Sequence, residues 1–389
     1  MLAYVAPILV FGLVVFVHEL GHFLAAKAVG VYTPRFSIGF GKSLFRKRWG
    51  ETEYIIALLP IGGYVRMASK DDESTAFLEG GSENAVTEVA THGKALDPDA
   101  MMPFGPKPIP PNRWFESQPL WARLMILIAG VTMNILLAMV VTTGMFIHYG
   151  TPYLSTTADS LLAGRPGALA GLQAGDSIVA VGGRPLEDWE MLVKRISESP
   201  EIPLTLEEVR AGARRQISVT PLADTARNPA TGKVERVGRI GILPRTAARD
   251  IGLGEAVASG WTTTWRMAGS VIEALQGLAT RKVSASELGG PIMIAQASVQ
   301  AARGGAEQLL FLIALISANL AVMNLLPIPI LDGGQIVISL LEGIKGKAFS
   351  IKTREYILRA GLATVLLLFA LVTYNDLKRL VVSVVQRLG

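Results

Sequence analysis

Four long apolar runs alternate along the chain with stretches in which polar and apolar residues mix. A helix needs about 20 residues to cross a hydrocarbon core of roughly 30 Å, and each run approaches or meets that length. The third run is the least regular, because asparagines and prolines interrupt it. The predicted transmembrane helices are residues 4–29, 121–147, 307–328 and 356–375.

The mixed stretches predict other structures. Residues 35–67 alternate polar and apolar positions and contain a Gly-Gly turn, which indicates a β-hairpin region. Residues 68–112 are acidic, then proline-rich, and their lack of periodicity predicts a loop. Residues 150–245 combine the alternating strand SIVAVGG with the helical pattern DWEMLVKRI, which predicts a soluble α+β domain. Residues 246–306 predict an amphipathic helical connector.

The predicted fold class is therefore a polytopic α-helical membrane protein with one inserted soluble domain. Its predicted parts are an N-terminal membrane part (1–149), the soluble domain (150–245), the connector (246–306) and a C-terminal membrane part (307–389). The first apolar run lacks the preceding basic residues of a signal peptide, since the first cation is Lys27, so a retained helix is predicted.

Composition agrees with a lipid bilayer as the main partner. Half of the 389 residues are hydrophobic, 18% are charged and the mean hydropathy is +0.40, values too apolar for an ordinary soluble protein. The net charge of +5 comes from basic residues beside the apolar runs, which argues against nucleic acid as a partner. Cysteine is absent, so a metal site must use histidine and carboxylate ligands.

Two basic clusters predict the orientation. Short basic loops favour the cytoplasmic side, which places both termini and residues 150–245 on the opposite side of the membrane. The clusters follow the first and the third span, and their members are Lys42, Arg46, Lys47 and Arg48, then Lys345, Lys347, Lys352 and Arg354.

The first span contains an H-E-x-x-H motif. On a helix, positions i and i+4 share a face, so His18 and His22 can bind one metal ion while Glu19 acts as general base. Ionisable groups at the centre of a membrane cost about 2.5–3.5 kcal/mol each, and a bound Zn²⁺ worth on the order of 10 kcal/mol offsets that cost. A pair of hydrogen-bonded core histidines is the alternative.

Catalytic zinc usually has three protein ligands and one open position. Asp332, in NLLPIPILDGG, is the best third candidate, because the predicted topology puts it on the same side as the histidine pair. His92 lies in the acidic loop and His148 at the opposite end of span two. Pro327 and Pro329 free backbone carbonyls, which is tolerated in a membrane only where the backbone lines a cavity or is buried in protein. A solvated interfacial role for Asp332 is the alternative.

Three asparagines in the spans are ambiguous. Asn319 and Asn324 can offer amide groups to a substrate backbone or to an oxyanion, or can bond neighbouring helices. For Asn134 in span two the helix-to-helix bond is the leading interpretation.

Four motifs together resemble the site-2 protease family, specifically its bacterial regulator-of-sigma-E branch. They are HELGH, GGYVRM (62–67), RLMILIAGVTMN and NLLPIPILDGG. The resemblance implies a zinc-dependent intramembrane endopeptidase that cuts transmembrane helices of single-pass proteins. It implies that Glu19 activates water and that zinc is bound by His18, His22 and Asp332.

The resemblance has further implications. The segment 62–67 would form a membrane-associated hairpin beside the site, whose edge pairs with substrate through Gly62, Gly63 and Tyr64. Asn319 and Asn324 would contact substrate. AGLQAGDSIVAVGG resembles a circularly permuted PDZ domain, which would bind peptide or protein C-termini, with GRIGI (238–242) as the candidate strand, and act as a substrate filter. The implied location is the bacterial inner membrane, with the PDZ domain periplasmic and zinc near the cytoplasmic side.

The chain departs from that branch in two respects. It has room for one PDZ domain where the best-known members have two, and residues 68–112 form a longer loop than the core pattern needs. Two other functions stay open at this point. A metal transporter would also place His and Asp within the membrane, but no internal repeat is evident. A catalytically inactive PDZ adaptor would not need a complete set of four catalytic side chains.

Overall fold

The computed structural model describes residues 2–69, 109–227, 234–284 and 289–388. The predicted loop 68–112 therefore lies mostly outside the described residues. The chain divides into two compact units. The membrane unit comprises residues 1–145 and 253–389, and the soluble unit comprises residues 146–252.

Nine helices are present in the described residues, and four of them are long and apolar enough to cross a membrane. The apolar four are α1, α2, α7 and α9, which confirms a polytopic membrane protein. The helices are α1 (Leu2–Ala28), α2 (Leu120–Tyr149), α3 (Pro166–Leu169), α4 (Trp189–Ser197), α5 (Leu253–Ala279), α6 (Pro291–Gly304), α7 (Ala306–Asn324), α8 (Asp332–Lys345) and α9 (Ile351–Leu388).

Two predicted spans differ from the observed helices. The third was predicted to run to residue 328, but α7 ends at Asn324 because the prolines at 327 and 329 disfavour helical backbone in the residues before them. The fourth was predicted as residues 356–375, and α9 is longer at both ends. Polar residues flank its apolar centre, so hydropathy alone underestimated its length.

Ten strands complete the described structure. β1 and β2 belong to the membrane unit and β3 to β10 to the soluble unit. The strands are β1 (Arg35–Trp49), β2 (Thr52–Arg66), β3 (Thr151–Leu161), β4 (Ser177–Val181), β5 (Arg184–Pro185), β6 (Leu204–Arg210), β7 (Ala213–Val219), β8 (Leu222–Arg227), β9 (Val234–Arg239) and β10 (Ile242–Arg249).

The β1–β2 hairpin folds back on itself. Residues 35–38 lie opposite two segments of β2, residues 53–56 on one side and 63–66 on the other. Among the described residues, the segment 63–66 pairs with another segment on one side only, so it forms an edge of this small sheet. Phe36 and Val65 pack with Phe23 of α1, which holds this edge against the first apolar helix.

The soluble unit is built around a sheet with the order β10-β3-β4-β6-β7, and β5 pairs with β4. One face of this sheet and α4 enclose an apolar core that includes Ile178, Leu192 and Leu206. The predicted strand GRIGI (238–242) is not one strand. It spans the end of β9 and the start of β10, because Gly241 has a φ of +78° and breaks the extended backbone between them. The two ends of this sheet are β10 and β7, so β10 is one of its edge strands.

A carboxylate anchors the hairpin turn of the membrane unit. Glu51 accepts hydrogen bonds from both terminal nitrogens of Arg113, at 2.9 and 2.8 Å, and from Lys27 Nζ at 2.6 Å. These bonds tie the turn to the last turn of α1 and to the segment that precedes α2. The Arg113 hydrogen bonds, reinforced by Lys27 and opposed by partial burial, lower the pKa of Glu51 to about 2.

Substitution of Glu51 by Gln is expected to change the pH dependence of stability. A carboxylate whose folded pKa is lowered stabilises the fold above its unfolded pKa and loses that effect as the pH falls through its folded pKa. The Tm of the wild type in detergent should therefore exceed that of Glu51→Gln at pH 7. The gap should close as the pH falls from about 4.5 through about 2. A gap that stays constant over this range would contradict the assignment.

Candidate metal centre

The two histidines of the motif face each other on one side of α1. Their Nε2 atoms are 3.1 Å apart and their rings are nearly perpendicular. Each residue is only 6% exposed. The i, i+4 spacing of the helix produces this arrangement, since both side chains leave the same face one turn apart.

Asp332 completes a cluster of three potential ligands. Its Oδ2 lies 3.2 Å from His18 Nε2 and its Oδ1 lies 3.5 Å from His22 Nε2. One donor atom from each of the three residues lies within 4.8 Å of the others. Asp332 Oδ2 is buried and has no hydrogen-bond partner in the described structure. A carboxylate whose two oxygens each lie near an imidazole nitrogen fits a cation bound among the three groups.

The backbone between α7 and α8 carries Asp332 to the histidines. Pro327 and Pro329 interrupt the helix after the third span, and α8 begins at Asp332 itself. A Cβ on Gly333 or Gly334 would collide with backbone atoms of the preceding loop. Glycine at both positions therefore lets the loop and the start of α8 pack closely enough to place the carboxylate.

The ring of His22 is oriented by α2. His22 Nδ1 lies 2.8 Å from the carbonyl oxygen of Ile126 and donates its proton to it, so Nε2 keeps a free lone pair for a metal. On the same helix, a Cβ on Gly130 would meet Cε1 of His22 at 2.7 Å and Cε1 of His18 at 2.8 Å. Gly21 of α1 is equally close to the α2 backbone. The two helices therefore cross at glycines, where the imidazoles have room.

Glu19 lies beside the cluster, next to the edge of the hairpin sheet. The backbone amide of Val65 is near enough to interact with its carboxylate, and its Cγ would be 3.5 Å from a Cβ on Gly63. The predicted residue Gly63 is therefore close to Glu19. Gly62 and Tyr64 contact Phe40 within the hairpin instead.

The three asparagines singled out in the sequence lie in different surroundings. Asn324 Nδ2 lies 3.1 Å from His18 Nε2, so this amide reaches the cluster. Asn319 makes no hydrogen bond to the cluster in the described structure, and its Oδ1 is buried without a hydrogen-bond partner there. Asn134, which the sequence favoured as a helix-to-helix bond, has Nδ2 3.4 Å from His18 Nδ1.

Comparison with known proteins also supports a metal centre. A family model described as Peptidase family M50 matches residues 6–368. The chain is 32% identical to "Zinc metalloprotease RasP" of Bacillus licheniformis, over 97% of this chain and 99% of that protein. It is 32% identical to "Regulator of sigma-W protease RasP" of Bacillus subtilis, over 97% of this chain and 98% of that protein.

One solved structure also matches. The PDZ domain of an SdrC-like protein from Listeria innocua covers 23% of this chain and 92% of that chain, with 19% identity and a TM-score of 0.19. A score this low bears no argument about the fold of the soluble unit.

Substitution of Gly130 by Ala is expected to disturb the centre. The added methyl group would displace both imidazoles, and a displacement near 1 Å costs about 10²-fold in rate. Gly144→Ala is the matched control, because it lies on the same helix and its Cβ would meet nothing within 4 Å. Cleavage of a membrane-protein substrate should fall for Gly130→Ala and not for Gly144→Ala. Equal rates for the two variants would contradict the proposed crowding.

Proposed function

Because this chain belongs to peptidase family M50 and is a zinc metalloprotease of the site-2 type, we propose that it hydrolyses peptide bonds within or near the transmembrane helices of single-pass membrane proteins. Family membership confirms the resemblance of the motifs and the zinc cofactor. It also favours an enzyme over the metal transporter and the inactive adaptor.

The observation that carries the proposal is the cluster of two imidazoles and one carboxylate on apolar helices. In this proposal His18, His22 and Asp332 bind the zinc ion. When bound, zinc polarises a carbonyl group and lowers the pKa of water toward about 7. Catalytic zinc usually has three protein ligands and one open position, and these three side chains would supply the protein ligands.

Glu19 is proposed as the general base and acid. Its carboxylate takes a proton from the attacking water and later donates that proton to the amide nitrogen that leaves. The nearby backbone amide of Val65 would help to hold the carboxylate in place between these steps. Asn324 Nδ2 lies 3.1 Å from His18 Nε2, and in this proposal it would donate a hydrogen bond to the carbonyl oxygen of the bond being cut. Asn319 would contact substrate farther along α7.

A substrate helix hides its peptide bonds in internal hydrogen bonds and must open before it is cut. We propose that the opened segment adds as a strand to the 63–66 edge of the hairpin sheet, with Gly62, Gly63 and Tyr64 contributing. Gly63 and Val65 are next to Glu19, so a strand paired there would run past the general base.

The remaining parts of the proposal rest on the sequence. The soluble unit would be a PDZ domain that binds peptide or protein C-termini along the open edge of β10 and screens substrates. The basic clusters support a bacterial inner-membrane location with the soluble unit outside the cytoplasm and the zinc site near the cytoplasmic side.

Two isosteric substitutions test the roles of the carboxylates. Glu19→Gln should keep bound zinc and lower the cleavage rate by about 10²- to 10⁴-fold, because only the proton-transfer group is lost. Asp332→Asn should lose zinc affinity, since a neutral amide is a poor ligand. The measurement is cleavage of a panel of fluorescent single-span helices, with zinc counted in each purified variant.

His148→Ala is the matched control for the zinc count, because this exposed histidine lies outside the cluster. It should keep wild-type zinc content. Wild-type cleavage by Glu19→Gln would refute the base assignment, and wild-type zinc content in Asp332→Asn would refute the ligand assignment.

A further inference from the structure

The imidazole of His18 has two nitrogens in different surroundings. Nε2 faces the cluster, 3.2 Å from Asp332 Oδ2, whereas Nδ1 faces α2 and lies 3.4 Å from Asn134 Nδ2. A neutral histidine that binds a metal through Nε2 carries its proton on Nδ1, and this proton needs an acceptor. His22 has such an acceptor in the Ile126 carbonyl. The amide of Asn134 is the corresponding group at His18.

The amide of Asn134 is completely buried, and its Oδ1 has no hydrogen-bond partner in the described structure. Its backbone carbonyl is already used, since it accepts a hydrogen bond from Ser317 Oγ at 2.8 Å. The oxygen and nitrogen of an amide are assigned from their hydrogen bonds, and a half-turn exchanges them. That half-turn brings Oδ1 to His18 Nδ1, so the buried oxygen gains a donor and the imidazole proton gains an acceptor.

The spacing along α2 supports this arrangement. Ile126, Gly130 and Asn134 are four residues apart and share one face of the helix. That face lies along α1 in the opposite chain direction, with Ile126 at His22 and Asn134 at His18. Gly130 lies between them and leaves room for both rings. One stripe of α2 can thus supply a hydrogen-bond acceptor for each of the two histidines.

We infer that Asn134 is a positioning residue for the metal centre. Its Oδ1 accepts a hydrogen bond from His18 Nδ1–H, fixes the tautomer and the ring orientation of His18, and thereby strengthens zinc binding through Nε2. This role rests on the proposed zinc site, and it goes beyond that site because Asn134 touches neither the ion nor the substrate.

The test uses the full chain in detergent and Zn²⁺ alone as the probe, with affinity measured by competition against a chromophoric chelator. Asn134→Leu removes the acceptor with little change in size and should weaken zinc binding about 10- to 100-fold. Asn134→Asp keeps an oxygen acceptor and has no N–H to donate, so it should bind zinc at least as tightly as the wild type. The control is Thr142→Val, a buried polar residue on the same helix that contacts Thr264 and not the cluster.

Three outcomes would overturn the inference. The first is wild-type affinity in Asn134→Leu, and the second is a loss in Asn134→Asp as large as in Asn134→Leu, as expected if the amide acts as a donor. The third is an equal loss in Thr142→Val, which would indicate a general loss of packing. If Asn134→Leu does not fold, the zinc affinity of Asn134→Asp tests the inference, and a loss of affinity in that variant contradicts it.

His22→Ala and Asp332→Asn, measured alongside, separate this inference from the proposed function. If they retain wild-type zinc affinity, the proposed zinc site is wrong and the inference is wrong with it. If they lose zinc while Asn134→Leu does not, the zinc site stands and only the positioning role of Asn134 is wrong.

Discussion

Two imidazoles and a carboxylate share a space less than 5 Å across among apolar helices, and the arrangement of the membrane unit depends on this contact. An ionisable group in hydrocarbon costs about 2.5–3.5 kcal/mol, so three of them in one place require partners. The partners are each other, the Ile126 carbonyl and the amides of Asn134 and Asn324. These contacts require glycine at the crossing of α1 and α2, because the imidazole rings occupy the space that a side chain would fill.

The position of Asp332 is fixed from the other end of its helix. Glu342, near the end of α8, is buried and accepts hydrogen bonds from Arg354 of α9 and from Arg123 of α2. It also accepts from the backbone of Phe349, which turns the chain back into α9. A buried carboxylate with two guanidinium partners resists displacement, because moving it away from both would leave a buried charge uncompensated. α8 is thus held at both ends, by Glu342 against its neighbours and by Asp332 at the histidines.

The parts of the centre that the sequence predicted are those that local spacing or chemistry determines. His18, Glu19 and His22 follow from one helical turn, and Asp332 followed from the absence of cysteine and from the predicted topology. Gly130 and Asn134 were not assigned to the centre, because their roles depend on which face of α2 meets α1, and apolar spans carry little amphipathic pattern to predict it. The hairpin was predicted as a region, but alternation shows which face a residue occupies and not which segments become neighbours, so the double pairing of residues 35–38 was missed.

The same geometry constrains what a substrate must do. Glu19 leaves α1 on the side covered by the hairpin edge, where Gly63 has no side chain and the amide of Val65 is near the carboxylate. A substrate that remained helical could not pair with a strand edge, because its own backbone groups are already bonded to each other. An extended segment would exchange those internal hydrogen bonds for bonds to the edge, which would lower the cost of opening in lipid, where no other hydrogen-bond partner is available. Helices with glycine, proline or polar residues open at the lowest cost, so backbone stability, more than the identity of any one side chain, would select the bond that is cut.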